Sequence, residues 1–225
     1  MTDRQTKKKE GAKVILKKAH PEKYEGLEEK AGAIKTHSKK IRGLKGASID
    51  DLRNELLGVE GVSARIYWEG VQDIVAGRVE FFGRAHRGAA DKVNSMLNYG
   101  YGILYSQVWG AVISAGLEPF AGFLHVDRPG KPSLVLDLVE KFRQPVVDKP
   151  VISHVNLGES IGMEGGLLDA DTRKAVSRKI LVRLEARESY QGKKYQIRSI
   201  IQIQARNLAA FLKGERDYKP FSFKW

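Results

Sequence analysis

Four side chains of this 225-residue chain have the chemistry of ligands for a hard metal ion: Glu69, His125, Asp137 and Glu140. Three carboxylates and one imidazole suit a divalent cation, and the carboxylates favour Mg²⁺ or Mn²⁺. The set contains a single histidine and the chain has no cysteine, which argues against a structural zinc site. A cation held in this way is typical of enzymes that act on phosphodiesters.

Asp137 and Glu140 give the strongest local signal. They are three residues apart, so on a helix their carboxylates share one face. Asp137 is flanked by two leucines, and an unpaired acid there would be costly unless a metal or an arginine compensates it. The spacing alone also fits an ordinary acidic face bridged to Lys141 or Arg143, and it does not separate the two interpretations.

The charge of the chain points to a polyanionic partner. The formal net charge is +12, while 42% of the residues are hydrophobic, enough for a substantial core. Residues 1–46 carry 12 Lys and 2 Arg against 6 acidic residues. We expect a basic head, 1–47, that is mobile or a peripheral helix. A solubilising leader and a DNA-contacting arm both fit this composition.

The remaining composition predicts a cytoplasmic location without a membrane span. The absence of cysteine fits a reducing compartment. The first residues lack the apolar core of a signal peptide, and no run reaches the roughly 18 apolar residues of a transmembrane helix.

The hydrophobic pattern predicts an all-α domain over residues 48–225. Ser48 and Asp51 form a capping-box signature for a helix of about ten residues. Glycines then predict a break before a second helix, 64–76, that carries Glu69. Apolar residues at three- and four-residue intervals predict a long helix over 89–116, whose glycines indicate close helix packing. Further helices are predicted over 132–144, 149–158, 171–188 and 194–213.

Several sequence blocks resemble, in order and spacing, the CRISPR-associated spacer-acquisition integrase family. The blocks are residues 82–87, 91–104, 115–119, 122–125, 137–143 and 218–221. The resemblance spans about residues 52–225 and implies the helical C-terminal catalytic domain of that family. Members usually begin with a β-rich domain that builds the dimer. Residues 1–47 do not resemble it, so we expect a truncated, divergent or split version.

The resemblance implies a role for each candidate residue. Glu69 and His125 take the first two metal positions, and Asp137 is the best third ligand for Mg²⁺ or Mn²⁺. Glu140 is a functional acid near the metal, as a ligand or an outer group. Two further residues match motif positions near the catalytic site and are assigned to DNA binding or to the scaffold; they are Arg84 and Asn94.

The family implies an enzyme that joins DNA strands. A 3′-hydroxyl attacks a phosphodiester in a repeat, and the same site can cut DNA with water as the nucleophile. The implied partners are double-stranded and branched DNA, the small partner subunit of the CRISPR adaptation complex, and a second copy of the chain. A related transposon-type integrase and a nonenzymatic DNA-binding assembly subunit remain as alternatives.

A basic stripe is the predicted DNA-binding surface. Its members are Arg173, Lys174, Arg178, Lys179, Arg183 and Arg187. Three of them, Lys179, Arg183 and Arg187, recur every fourth residue and would lie along one helix face. The other interpretation is a solvated helix face, partly neutralised by Glu185 and Glu188. With the catalytic resemblance, we favour sequence-independent phosphate contacts.

Overall fold

The computed structural model describes residues 24–46, 48–85, 91–125 and 129–223. Within these ranges seven α-helices carry most of the chain, and the strands form only two short antiparallel hairpins. The prediction of an all-α fold is therefore confirmed. In the same ranges no helix is both long enough and apolar enough to cross a membrane.

The elements follow one another in a simple order. The helices are α1 (Tyr24–Arg42), α2 (Ile49–Val75), α3 (Lys92–Ser114), α4 (Ser133–Arg143), α5 (Lys149–Asn156), α6 (Ala170–Glu185) and α7 (Ile197–Leu212). A π-helical turn (Gln144–Asp148) joins α4 to α5. The hairpins are β1 (Met163–Glu164) with β2 (Leu167–Leu168), and β3 (Arg187–Tyr190) with β4 (Lys193–Gln196).

Helix α3 is the centre of the fold. Asp91 caps its first turn by accepting a hydrogen bond from the Asn94 N–H at 2.8 Å. Its apolar face is completely buried and contacts α4, α6 and α7. A Cβ atom at Gly100 would lie 2.7 Å from Val147 Cγ1 and from Ile180 Cδ1. This glycine therefore permits the close packing that the sequence indicated.

Helix α2 corrects one prediction. The capping box at Ser48 and Asp51 is present, but the helix continues for 27 residues instead of breaking at the glycines. A glycine costs a helix only about 1 kcal/mol relative to alanine. Burial of side chains such as Tyr67, Val71 and Ile74 on one face outweighs that cost.

The described part of the basic head is an ordered helix. Leu27 and Ile34 of α1 are buried in the common core, and Lys30 forms an ion pair with Asp73 of α2. Residues 1–23, together with the predicted helix start at 89 and 90, lie outside the described residues. The predicted boundary near residue 47 falls in the connection between α1 and α2.

Helix α6 ends earlier than predicted. Its last residue is Glu185, and Arg187 already belongs to β3. Gln191 and Gly192 both have positive φ, 50° and 79°, and form the two-residue turn between β3 and β4. Turns with two positive φ angles match the twist of a hairpin, so this pair favours strands on either side.

Candidate active site

The best-formed part of the site joins the loop before α4 to the first turns of that helix. The Leu134 N–H donates to the Pro119 carbonyl at 3.0 Å. A Cβ atom at Gly122 would overlap the Cβ of Ser133, so only glycine lets the loop lie against the helix start. This packing brings His125 to Asp137.

Asp137 binds both the loop backbone and the imidazole ring. Its Oδ2 accepts hydrogen bonds from the N–H groups of Phe123 at 2.7 Å and Leu124 at 3.0 Å. Its Oδ1 accepts the His125 N–H at 3.2 Å and lies 2.6 Å from the ring Nδ1. A carboxylate offers about four acceptor positions, and all four are used here.

This geometry changes the role predicted for Asp137. A direct bond to a metal would break contacts that hold the loop, so Asp137 is better suited to orient His125 than to ligate a cation. With Nδ1 protonated toward Asp137, the ring presents Nε2 as the atom with a free lone pair. Burial raises the pKa of Asp137, but the hydrogen bonds from His125, Phe123 and Leu124 outweigh it and leave that pKa below its ordinary value.

Glu140 lies one helical turn beyond Asp137. Its carboxylate accepts a hydrogen bond from Arg143 Nη1 at 2.7 Å, and its side chain is only 11% exposed. The expected pairing of Glu140 with Arg143 is therefore present. Lys141 instead donates to Gln204 and Tyr218. Glu140 remains a candidate ligand because it is a largely buried carboxylate on the helix that carries Asp137.

Glu69 does not fit the position predicted for it. Its side chain is 44% exposed, and Arg65 lies 3.5 Å away on the same helix. Tyr67 of α2 faces the buried side, where its hydroxyl donates to Asp148 at 3.0 Å. Two residues correspond to about 200° around a helix, so Glu69 points away from that side.

A different carboxylate of α2, Glu60, lies on the helix face that also carries Arg53 and Tyr67. Arg53, Glu60 and Tyr67 are seven residues apart, which is almost two full helical turns, so they form one stripe. At one end of the stripe Arg53 Nη2 donates to the Phe123 carbonyl at 3.0 Å. At the other end Tyr67 contacts Asp148. Glu60, which is partly buried, lies between these two contacts.

The sequence contained a signal for Glu60 that the predicted helix break concealed. The seven-residue repeat is meaningful only if α2 runs without interruption from Arg53 to Tyr67, as it does. Among the residues that the structure describes, no three acidic or histidine side chains already form a cluster that could hold a metal ion. The fit of a cation rests on the chemistry of the donor set: two carboxylates, Glu60 and Glu140, and an oriented imidazole.

Arg84 and Asn94 have structural roles. Asn94 is 1% exposed; its Oδ1 accepts from Arg84 and from the Ala85 N–H, and its Nδ2 donates to the Gly83 carbonyl and to Asp91. Both side-chain groups of Asn94 are used within the protein, which favours its scaffold role over DNA binding. Arg84 also donates to Asn98 at 2.6 Å, which favours its scaffold role.

The structure divides the predicted basic stripe. Arg173, Lys174 and Arg178 are exposed on α6, as a phosphate-binding surface requires. Lys179 pairs with Glu159 at 2.6 Å. Arg183 is a packing residue, because it donates to the Pro145 carbonyl at 3.0 Å and to Glu188 at 2.7 Å. Arg187 is exposed, but it lies on β3 and does not continue the helix face.

Comparison with known proteins places these features in a family. Residues 5–182 match the family described as CRISPR associated protein Cas1. The CRISPR-associated endonuclease Cas1 1 of Archaeoglobus fulgidus is 38% identical over 222 residues, which cover 93% of this chain and 64% of that protein. The chain therefore spans less than two thirds of this curated relative.

Solved structures agree with this match. A casposase bound to integration product has a TM-score of 0.78 and 29% sequence identity, covering 96% of this chain and 60% of that one. A chain of a Cas6-RT-Cas1–Cas2 complex has a TM-score of 0.78 at 20% identity, covering 96% of this chain and 23% of that one, and supports the fold alone. The chain belongs to the CRISPR-associated Cas1 family.

Proposed function

We propose that this chain carries the catalytic centre of a metal-dependent DNA endonuclease and integrase of CRISPR adaptation. The observation that carries the proposal is the His125–Asp137 pair, in which Asp137 holds Nδ1 of the imidazole and leaves Nε2 as the ring atom that can bind a metal. The proposal also rests on family membership, since the Archaeoglobus relative is named an endonuclease.

The residues that would hold Mg²⁺ or Mn²⁺ are Glu60, His125 and Glu140, with Asp137 orienting the imidazole. When bound, a divalent cation would stabilise negative charge on a phosphodiester and lower the pKa of the attacking hydroxyl. Two carboxylates and one imidazole are a donor set that both ions accept. The proposed set leaves out Glu69, whose side chain is 44% exposed and lies 3.5 Å from Arg65.

The proposed reaction is a transesterification at phosphorus. The 3′-oxygen of the incoming DNA forms a new bond to the phosphorus of a repeat phosphodiester and loses its proton. The bond from that phosphorus to the 3′-oxygen of the repeat breaks, and this oxygen takes up a proton and leaves as a new 3′-hydroxyl. Water in place of the attacking 3′-hydroxyl gives hydrolysis, which is the nuclease reaction.

DNA and the small partner subunit are the proposed partners. The casposase with 29% identity is described as bound to integration product, and a chain of similar fold is part of a Cas6-RT-Cas1–Cas2 complex. Exposed cations of this chain suit contacts to a DNA backbone. They are Arg173, Lys174, Arg178, Arg187, Lys193, Lys194, Arg198 and Arg206. The casposase similarity also favours a second candidate, an integrase that acts on a different DNA target.

Two glutamates of the same helix provide a direct test. Strand transfer and nicking would be measured with Mn²⁺ on branched and supercoiled DNA for the wild type, Glu60→Ala, Glu69→Ala and His125→Ala. We expect Glu60→Ala and His125→Ala to lose at least a hundredfold in rate and Glu69→Ala to keep most of it. Loss in Glu69→Ala with retention in Glu60→Ala would refute the assignment. Wild-type DNA binding without any metal-dependent product would instead support an assembly subunit.

A further inference from the structure

A buried acid lies behind the candidate site. Asp148, in the π-helical turn, is 2% exposed. Its Oδ2 accepts the hydroxyl of Tyr67 at 3.0 Å, and its Oδ1 accepts the hydroxyl of Tyr101. Tyr67 belongs to α2 and Tyr101 to α3, so this one carboxylate joins three segments of the core.

Tyr101 connects this acid to Glu140. The guanidinium of Arg143 lies over the Tyr101 ring, with its central carbon 4.2 Å from the ring centroid. Stacking on an aromatic ring leaves the edge of a guanidinium available for hydrogen bonds in its plane. Arg143 uses that edge to donate to the Glu140 carboxylate at 2.7 Å. A continuous series of contacts therefore runs from Asp148 through Tyr101 and Arg143 to Glu140.

The charges of the side chains around Tyr101 are balanced, which stabilises their arrangement. The central guanidinium carbon of Arg84 lies 5.2 Å from the centroid of the same Tyr101 ring. Two cations, Arg84 and Arg143, therefore accompany two acids, Glu140 and Asp148. Removing one member of a buried charged set leaves its partner uncompensated, which strongly destabilises that arrangement. Burial and the charge of Asp148 both raise the pKa of Tyr101, which keeps its hydroxyl protonated as the donor.

We propose that Asp148 is a positioning residue of the active centre. Through Tyr101 and Arg143 it fixes the carboxylate of Glu140, and through Tyr67 it fixes the face of α2 that carries Glu60. The inference rests on the proposed function, because it assumes that Glu60 and Glu140 hold the metal. It assigns a role to a buried acid that does not itself contact DNA or the cation.

Conservative substitutions can separate positioning from stability. Tyr101→Phe removes the hydroxyl that binds Asp148 but keeps the ring under Arg143. Tyr99→Phe is the matched control, since it removes a hydroxyl from the same helix whose partner is Ser177 Oγ, 3.1 Å away. Asp148→Asn keeps the shape of the acid and removes its charge. Arg143→Lys keeps the positive charge and removes the planar guanidinium group.

The first readout is Mn²⁺ affinity without DNA, measured by electron paramagnetic resonance, and thermal unfolding is recorded for each variant. We expect Tyr101→Phe, Asp148→Asn and Arg143→Lys to weaken Mn²⁺ binding about tenfold or more, the range seen when supports of metal ligands are removed. Tyr99→Phe should leave Mn²⁺ affinity unchanged. If Asp148→Asn does not fold, Tyr101→Phe against Tyr99→Phe decides the question.

The outcomes separate the two proposals. If the wild type binds Mn²⁺ in a Glu60-dependent way and Tyr101→Phe behaves like Tyr99→Phe, the positioning role is refuted while the proposed function stands. If the wild type binds no Mn²⁺, both are refuted. A selective loss of Mn²⁺ affinity in Tyr101→Phe, with a melting temperature equal to that of Tyr99→Phe, supports the positioning role.

Discussion

Nδ1 of His125 lies 2.6 Å from Oδ1 of Asp137, and the same carboxylate accepts the backbone N–H groups of Phe123, Leu124 and His125. One side chain of α4 thus holds both the loop and the ring. Because both are tied to one carboxylate, the ring has a defined tautomer and a defined direction. This relationship is consistent with the proposal that His125 is a metal ligand and that Asp137 orients it.

Asp137→Asn should impair metal binding more than it impairs the fold. Asparagine can still accept backbone hydrogen bonds through its oxygen, but its NH₂ group would face Nδ1 and favour the tautomer that carries its proton on Nε2. The lone pair offered to a metal is then lost. We expect Mn²⁺ affinity or the strand-transfer rate to fall roughly 10- to 100-fold.

An aspartate-to-asparagine substitution at an exposed position, Asp73, is the control for that experiment. Asp73 of α2 forms an ion pair with Lys30, and the Asp73 side chain is 42% exposed. Asp73→Asn removes the negative charge of this pair. It should leave Mn²⁺ affinity unchanged, since exposed ion pairs contribute little. Equal losses in Asp73→Asn and Asp137→Asn would contradict the role of Asp137.

Asp169 should make α6 sensitive to acid. Hydrogen bonds from Thr172, through its side chain and its N–H, lower the pKa of this helix cap below the ordinary value. A lowered pKa means that the cap stabilises fully above the unfolded-state pKa of about 4 and is lost as the pH falls through the folded-state pKa. The melting-temperature difference between wild type and Asp169→Ala should therefore shrink below about pH 4.

Asp169→Asn is the informative comparison for this effect. Asparagine caps a helix about as well as aspartate but does not titrate. The melting-temperature difference between Asp169→Asn and Asp169→Ala should stay constant over the same pH range. If this difference between the two variants grows as the pH falls, the cap is not the titrating group.

The three exposed cations of α6 should contribute to DNA affinity through charge. Replacing Arg173, Lys174 and Arg178 with alanine removes up to three cations that can neutralise phosphates. The slope of log Kd against log salt should then decrease by about 0.9 for each phosphate that is no longer neutralised. Fluorescence anisotropy with duplexes of two unrelated sequences would test this, since both should weaken equally. An unchanged slope would place the DNA elsewhere.

Arg183→Ala should affect stability instead of DNA binding. Arg183 donates to the Pro145 carbonyl and to Glu188, and it lies over the Phe223 ring at 5.6 Å. Removal of these partly buried interactions should lower the free energy of unfolding by about 1–3 kcal/mol. Chemical denaturation measures that change. A wild-type stability with a reduced salt slope would instead identify Arg183 as a phosphate-binding residue.

Two glycines should respond to alanine in opposite ways. Gly58 lies inside α2, and a Cβ atom at this position would meet no atom within 4 Å apart from its chain neighbours and the backbone of its own helix, so Gly58→Ala should stabilise the protein by up to about 1 kcal/mol. Gly100→Ala would crowd Val147 and Ile180, and should cost about 1–3 kcal/mol. Denaturant midpoints of the two variants test the continuous α2 and the close packing of α3 together.

Periodicity and composition predicted much of this protein correctly. The capping box at Ser48, the long central helix α3 and the predominantly helical fold follow from local chemistry, because caps and apolar spacing act over a few residues. The sequence blocks also indicated the Cas1 family, which the comparisons confirm. The break predicted in α2 was wrong because the cost of its glycines is small compared with the burial of one complete face.

By itself the sequence determined which residues are available for chemistry: acidic side chains, one histidine near them and a surplus of cations. Only the tertiary structure decided how they are used. Residues nine apart on a helix, such as Glu60 and Glu69, point in opposite directions, so the continuity of α2 determines which carboxylate lies on the same face as Arg53 and Tyr67. Asp137 and Arg183 are likewise defined by hydrogen bonds to distant segments, which no local pattern specifies.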